Sequence, residues 1–380
     1  MKLIWSTSDF VIGHLSVPGF PLLLREDGRI ERIAHLFLVE TLLEDARAIS
    51  RATWKFVGYA LYDFFAFLES ARREWNEPKV LGRPSVIAAY RSELSKRAKR
   101  STISGRLSVL VRLYQFAKKN RLIADVPITY REVQDNGRGR NEGDKAKRSV
   151  EQSPRVDGVR LPKKRKLLKV LSAHECERFL RGIRNKTHHL MAQLQLATGI
   201  RVDELVSLPA SRIVDPRTAP KVLALFVVEL DPSEMRTKGS VARSIHVPRQ
   251  LMALLWAYKS VERVLRLNGV TNPPGALFIT DRGAEYLTRS VWSICRSASG
   301  AVGRHVHPHM LRHTYATHTL RCLSSKMNTG NALLYVRNRL GHESVTSTEI
   351  YLHYVDDLVV SVMDAYQQEL VSLAQIEDIA

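Results

Sequence analysis

Histidine and arginine crowd one segment of the chain in a spacing that suits an anion. In HPHMLRH, Pro308 fits the first turn of a helix, so His309 and Arg312 would share one face near the helix amino end. Taken alone, this could be an ordinary surface pair. Alternating histidines from His305 to His309 could also bind a metal, but no carboxylate or cysteine ligand stands nearby, so no metal site is predicted.

Three further segments hold residues with possible chemistry. In TGIRVDEL a glycine interrupts a helical pattern, Arg201 starts the next helix, and Glu204 lies one turn later on the same face. RTKGSVARSIHVP carries Lys238 before a glycine in a polar turn. LGHESVTSTEIYLHY contains His342 after a glycine, with Tyr351 farther along. Each segment alone is compatible with a bland interpretation, such as a surface Arg–Glu pair or a structural tyrosine.

Taken in this order, the four segments resemble the tyrosine site-specific recombinase family, also called the phage integrase family. The resemblance is specific from about Leu171 to Val355 and looser from about Ala34 to Ile123, which looks like the family's core-binding domain. It implies a catalytic set with Tyr351 as nucleophile, completed by Arg201, Lys238, His309, Arg312 and His342. Glu204 and His313 would support this set, His313 by packing against His309 rather than by touching phosphate.

Phosphoryl transfer explains why such residue types would converge. The oxygens of a phosphodiester repel nucleophiles, so the reaction needs fixed positive charge around the developing oxyanion. Arg201 and Arg312 would clamp the non-bridging oxygens with fork-shaped donors. Tyrosine must lose its proton as it attacks, and His309 is a candidate base. By resemblance, Lys238 would protonate the leaving oxygen, and the reaction would need no metal, ATP or other cofactor.

The elements that must position these residues are mostly helical. Apolar periodicity predicts core helices over Trp54–Trp75 and Ser101–Ile123, and no clear strand pattern occurs between Ile30 and Ile123. After a capping-box pattern at Ser172, helices alternate with a strand candidate, Leu223–Leu230, and its hairpin partner, Ser244–Val247. We therefore predict a mainly α protein with a small β-sheet. The resemblance implies a helical core-binding domain and an α+β catalytic domain that clamp DNA.

The same patterns suggest domain boundaries. Residues 1–132 would form the amino-terminal DNA-binding domain, in which residues 1–30 could be a short strand or an extended arm. Apolar periodicity disappears over 133–167, which is interpreted as a basic linker. The catalytic domain would span 168–356, and 357–380 would form an acidic tail helix.

Charge identifies the partner class. The formal net charge is +20, which indicates that the protein binds a polyanionic partner. Nucleic acid is favoured over a membrane surface as that partner. Cations on the second predicted helix and in the linker could follow the backbone of double-stranded DNA or stay solvated: Arg100, Arg106, Arg112, Lys118, Lys163, Lys164 and Arg165. No apolar run suits a membrane span, and the amino terminus lacks a secretory apolar core. We expect a cytoplasmic, nucleoid-associated protein.

The tail suggests assembly. After His353 the chain has six acidic and no basic residues, so this segment should avoid DNA. Its apolar residues recur at helical spacing and could pack within the chain or dock on a neighbouring protomer. With the resemblance, docking implies a tetramer on two DNA sites. The expected function is recombination, integration or transposition for a mobile element; type IB topoisomerase activity and a non-catalytic DNA-binding regulator are the alternatives.

Overall fold

The computed structural model describes residues 1–44, 50–128, 130–132, 155–157 and 168–341, together with Thr348 and Tyr351. These residues belong to two compact units, one within Met1–Arg165 and the other within Lys166–Ala380. Within the described part of the chain, no helix combines the length and the apolar character that a membrane crossing requires.

The first unit is a helical core with short hairpins at its amino terminus. The helices begin at polar caps; for example, Ser50 Oγ accepts a hydrogen bond from the backbone N–H of Thr53. Its described helices are α1 (Arg32–Val39), followed by a π-helical turn (Glu40–Glu44), α2 (Arg51–Ala71), α3 (Val86–Arg97) and α4 (Arg100–Lys119). Its described strands are β1 (Lys2–Trp5), β2 (Val11–Ile12), β3 (Leu15–Ser16), β4 (Pro21–Leu24), β5 (Tyr130–Glu132) and β6 (Arg155–Asp157).

The first thirty residues are part of this core. Strands β1 and β4 pair antiparallel, and Phe20 and Leu23 are buried. A Cβ atom on Gly58 of α2 would lie only 2.8 Å from Cβ of Pro21, so the hairpin packs directly against that helix. The open choice between a strand and an extended arm is therefore resolved in favour of strands. The alternation was too short to distinguish the two from sequence.

The predicted linker contains one described strand. Within 133–167, β6 pairs antiparallel with β5, in the register Tyr130 to Asp157. Three residues are too few to produce a recognisable alternation in the sequence. The other residues of this segment lie outside those that the structure describes.

The second unit combines helices with a two-stranded antiparallel sheet. The strands β7 (Leu225–Leu230) and β8 (Arg243–Pro248) pair from Leu225–Pro248 to Leu230–Arg243. The described helices are α5 (Ala173–Arg181), α6 (Lys186–Thr198), α7 (Val202–Ser207), α8 (Arg249–Ala257), α9 (Arg263–Leu267), α10 (Thr288–Ala298), α11 (Pro308–Ser324) and α12 (Thr329–Leu340). The prediction of a mainly α protein with small sheets is confirmed.

Local sequence signals explain how this unit folds. Ser172 and Glu175 form the predicted capping box at the start of α5, and Arg304 donates to the same Glu175 carboxylate. Gly199 ends α6 in the left-handed conformation, with φ +64°, where glycine has no steric penalty. Along β7 alternate residues are buried, so one face of the hairpin packs on the core.

Candidate active site

Arg312 lies at the centre of the second unit. It is on the first turns of α11 and only 2% exposed. Its Nη1 donates to the carbonyl of Gly199 at 2.6 Å, and its Nη2 donates to the carbonyl of Leu340 at 2.5 Å. Burial, together with the nearby positive charges of Arg201 and Arg243, lowers the pKa of Arg312 to about 9. The folded chain thus holds a cation with little water and two cationic neighbours.

Arg201 is positioned by Glu204. The backbone N–H and the Nη1 of Arg201 donate to the two Glu204 carboxylate oxygens at 2.8 and 3.0 Å, and Nη2 donates to the carbonyl of Gly341 at 2.9 Å. Glu204 is itself only 1% exposed and also accepts a hydrogen bond from Nη2 of Arg243. The predicted Arg–Glu pair is thus present, but its carboxylate is buried and is shared with a third residue.

The end of α12 organises all three arginines. Its last carbonyls lack partners within the helix, and the helix dipole makes them favourable acceptors for cations. Three consecutive carbonyls accept from three different guanidiniums: that of Arg339 from Arg243 at 2.7 Å, that of Leu340 from Arg312, and that of Gly341 from Arg201. A single helix end therefore fixes the spacing of the cluster, which we call the arginine cluster (Arg201, Arg243 and Arg312).

Tyr351 lies beside this cluster. The residue is 1% exposed, and its Oη is 2.8 Å from Nδ1 of His313. Burial raises the pKa of Tyr351 to about 12, while the positive charge of Arg312 opposes this increase. The His313 ring packs edge-on against His309, with ring centroids 4.5 Å apart, and His309 is exposed. Four of the six predicted catalytic residues are therefore brought together, Arg201, His309, Arg312 and Tyr351, along with the predicted supporting residues Glu204 and His313.

The positions of two predicted catalytic side chains, Lys238 and His342, are not described. The backbone of Lys238 starts a 3-10 turn, Lys238–Ser240, with Gly239 at φ +74°, as a Lys-Gly turn after β7 requires. The structure does not describe the Lys238 side chain. His342 lies outside the described residues, although its neighbour Gly341 is placed against the arginine cluster.

Two contacts were missed by sequence reasoning. His313 was assigned only a packing role, yet its ring nitrogen contacts the tyrosine hydroxyl directly. The sequence pattern assigned no role to Arg243. The strand pattern could have indicated its position. Side chains alternate between the two faces of a strand, and Arg243 falls on the same face as Ile245 and Val247, which are buried. An arginine on the inward face of a strand requires an acidic or carbonyl partner.

The predicted DNA-binding residues of α4 have varied surroundings. Arg100 and Arg112 are exposed, and the Arg112 guanidinium lies 6.0 Å from the centre of the Phe37 ring. Lys118 pairs with Asp125 at 3.1 Å.

Arg106 of α4 donates a hydrogen bond to the Asp63 carboxylate at 2.5 Å. Asp63 also accepts hydrogen bonds from Tyr90 and Arg97. Periodicity within α4 could not predict Asp63 as the partner of Arg106, because Asp63 lies on α2. Lys163, Lys164 and Arg165 lie outside the described residues.

A metal site would need several described His, Cys, Asp or Glu side chains to lie close together. Nowhere in the described part of the chain do three His, Cys, Asp or Glu side chains converge as metal ligands. The alternating histidines are used otherwise: His307 stacks on Trp292 with ring centroids 5.6 Å apart, and its Nδ1 caps α11.

Known proteins share both the sequence pattern and the fold. Residues 169–357 match the family described as the Phage integrase family. The chain is 28% identical over 288 residues to the tyrosine recombinase XerC of Bacillus subtilis (strain 168), covering 72% of this chain and 76% of the relative. It is 29% identical over 311 residues to the tyrosine recombinase XerD of Bradyrhizobium diazoefficiens, covering 80% of this chain and 86% of the relative.

A solved structure is similar in fold. The crystal structure of the XerH site-specific recombinase, bound to palindromic difH substrate in a post-cleavage complex, superposes with a TM-score of 0.59 at 19% identity. The match covers 87% of this chain and 84% of that one. Fold and sequence pattern agree on one class of proteins, the DNA strand-exchange enzymes that use a tyrosine. The chain belongs to the phage integrase family of tyrosine recombinases.

Proposed function

We propose that this protein is a site-specific DNA recombinase or integrase of a mobile element, which cleaves and rejoins strands through a 3′-phosphotyrosyl intermediate. The observation that carries the proposal is the convergence of the buried Arg312 and the partly buried Arg201 with a histidine-bonded tyrosine in a family member. A buried excess of positive charge is costly unless an anion is bound there. A DNA phosphodiester is the anion that fits the tyrosine beside it.

The arginine side chains would stabilise the transition state. The guanidiniums of Arg201 and Arg312 are already held by carbonyls and a carboxylate, so little reorganisation is needed when a phosphate enters. Their remaining N–H groups would donate to the non-bridging oxygens, where negative charge accumulates. This preorganisation favours the transition state over the free substrate.

The nucleophile would be Tyr351. As its Oη forms a bond to phosphorus, the bond from phosphorus to the 5′ oxygen breaks, and the phenolic proton must leave. Nδ1 of His313 lies 2.8 Å from the Tyr351 Oη and would accept this proton, which makes His313 a more direct candidate base than His309. The 5′ oxygen would leave as a hydroxyl, with Lys238 as its proton donor by family resemblance. Attack of another 5′-hydroxyl on the phosphotyrosine would then rejoin the DNA.

The partners follow from the reaction. We propose that both units contact double-stranded DNA and that the protein acts on DNA within the nucleoid. Four protomers on two DNA sites would complete recombination, with the acidic tail of one protomer docking on the next. The net charge of +20 supports backbone attraction, which should weaken as salt rises.

Covalent capture tests the proposal. The probe is a pool of nicked duplexes that tile the genomic DNA flanking the gene for this protein. After cleavage, the short fragment that carries the new 5′-hydroxyl can diffuse away at the nick, so the strand cannot be rejoined and the adduct is trapped. The wild-type protein should form an adduct that survives SDS and chelator. Tyr351→Phe should form none, yet should bind the same DNA with nearly unchanged affinity.

Several outcomes would count against the proposal. An adduct formed by Tyr351→Phe would refute the nucleophile assignment, and DNA binding without any wild-type adduct would favour a non-catalytic regulator. Products separate the enzymes: recombinants between two sites support recombination, whereas relaxation of supercoils alone would indicate topoisomerase activity.

A further inference from the structure

Arg243 is a buried arginine that none of the predicted catalytic roles uses. It lies at the first position of β8, and its side chain is 5% exposed. Its Nη1 donates to the Arg339 carbonyl at 2.7 Å, and its Nη2 donates to the Glu204 carboxylate. The contact with Gly341 is close, because a Cβ atom there would lie 2.5 Å from Cδ of Arg243. Gly341 therefore leaves room for the Arg243 side chain.

Glu204 presents an electrostatic problem for its neighbour. It holds Arg201 in place through two hydrogen bonds, at 2.8 and 3.0 Å. A carboxylate paired with a single guanidinium also cancels that guanidinium's charge, which would weaken attraction for a phosphate. Interactions between charges are strong at such buried positions, since little water screens them.

The third arginine solves this problem by sharing the carboxylate. One Glu204 oxygen faces Nη1 of Arg201 and the other faces Nη2 of Arg243, so the group of three carries one net positive charge. Burial lowers the pKa of Arg243, and Glu204 opposes this decrease by stabilising its charge. Arg243 also approaches the same helix end that holds Arg201 and Arg312.

We propose that Arg243 is a positioning residue for DNA cleavage: it orients Glu204 and balances its negative charge, so that Arg201 is both held in place and left cationic for the scissile phosphate. Arg243 would not touch DNA itself. This inference rests on the proposed function and adds a third guanidinium to its site.

A charge-balance cycle tests the role. Adduct formation is timed on the tiled nicked duplexes for Arg243→Met, Glu204→Gln and the double variant. Arg243→Met should slow cleavage by about 10- to 100-fold, as loss of supporting residues commonly does, with DNA affinity retained. The double variant should cleave faster than Arg243→Met, because the amide oxygen of Gln still accepts one hydrogen bond from Arg201 but no longer cancels its charge. Arg243→Lys should recover part of the rate.

The matched control is Arg249→Met. Arg249 also donates to backbone carbonyls, those of Leu223 and Pro216 among them, but these contacts lie on the β7 to α8 side and involve no carboxylate. This variant should cleave like the wild type. If Arg243→Met fails to fold in a thermal melt, Arg243→Gln replaces it, because Gln keeps hydrogen-bond donors without the charge.

The outcomes separate the two proposals. Loss of the adduct in the wild type and in Arg249→Met would overturn the proposed function itself. If both form the adduct, wild-type cleavage by Arg243→Met would overturn only the role of Arg243. A double variant slower than Arg243→Met would also overturn it, since a purely structural contact predicts cumulative damage.

Discussion

At the scale of single residues, the arginine cluster concentrates positive charge where protein interiors usually avoid it. Arg312 is 2% exposed and Glu204 is 1% exposed. The three guanidiniums of the cluster all lie near the Glu204 carboxylate. Carbonyls at the end of α12 reduce the cost of this burial, but they carry only partial charge. The residual positive charge is best explained as a site prepared for an anionic substrate.

His313 provides a pH-dependent prediction. If its Nδ1 accepts the Tyr351 proton, cleavage should fall at acidic pH, because a protonated imidazole ring cannot accept a proton. His313→Gln should slow cleavage by about 10²- to 10⁴-fold and remove this acid limb. Adduct formation is measured from about pH 5 to pH 8, roughly the range over which an imidazole titrates.

The control for this experiment is on the same helix. His318→Gln replaces a histidine whose Nε2 is 2.8 Å from the Leu171 carbonyl and which lies away from the tyrosine. It should keep the wild-type pH profile. An acid limb that persists in His313→Gln would show that another group accepts the proton.

Sequence reasoning predicted residue types better than residue contacts. The set of Arg201, Arg312 and Tyr351 followed from the family resemblance, and the Arg201–Glu204 pair followed from short-range spacing, which a helix converts directly into proximity. The contacts of His313 with Tyr351 and of Arg243 with Glu204 join residues 38 and 39 positions apart in the chain. Such pairs depend on how elements pack, and periodicity carries no information about them.

At the scale of elements, the turn between α6 and α7 connects packing to catalysis. The carbonyl of Gly199 accepts from Arg312 at 2.6 Å, and the residue has φ +64°. A Cβ atom here would overlap the Tyr315 ring and lie 3.0 Å from Cδ2 of Leu340. Only glycine satisfies both the backbone conformation and the close approach of α11 and α12.

Gly199→Ala should therefore be more damaging than an ordinary loss of a left-handed glycine. Gly269 is the matched control, because it has φ +80° but a Cβ atom added there would meet nothing within 4 Å. Strain alone should cost about 1–2 kcal/mol at either position, and overpacking should add about 1–3 kcal/mol at Gly199 only. Urea unfolding measures both variants; equal losses would show that packing at Gly199 is not tight.

Elements were predicted where periodicity was long. The helices α2 and α4 follow from apolar periodicity over several turns, and the hairpin of β7 and β8 follows from its strand patterns. The start of α11 at Pro308 and the capping box at Ser172 follow from short local signals at helix amino ends. The amino-terminal hairpins and the pairing of β5 with β6 did not follow from such patterns, because strands of two to four residues show almost no alternation. Their positions depend on contacts with α2 and with each other.

At the scale of the whole molecule, assembly is the feature that the tail should control. The segment after His353 has six acidic and no basic residues in a chain of net charge +20. Deletion of Asp364–Ala380 should weaken assembly on paired sites more than binding to a single site, since the tail is expected to contact protein rather than DNA. Light scattering with one-site and two-site DNA measures both; unchanged assembly would remove the docking hypothesis.

The central claim is that Tyr351 becomes covalently linked to DNA, and peptide mapping of the trapped adduct tests it most directly. After nuclease digestion, mass spectrometry should find a nucleotide on the peptide that contains Tyr351, attached through its 3′ phosphate, and the released strand should carry a free 5′-hydroxyl. A nucleotide on another residue, a 5′-phosphate linkage, or no modified peptide from cleaved DNA would contradict the account.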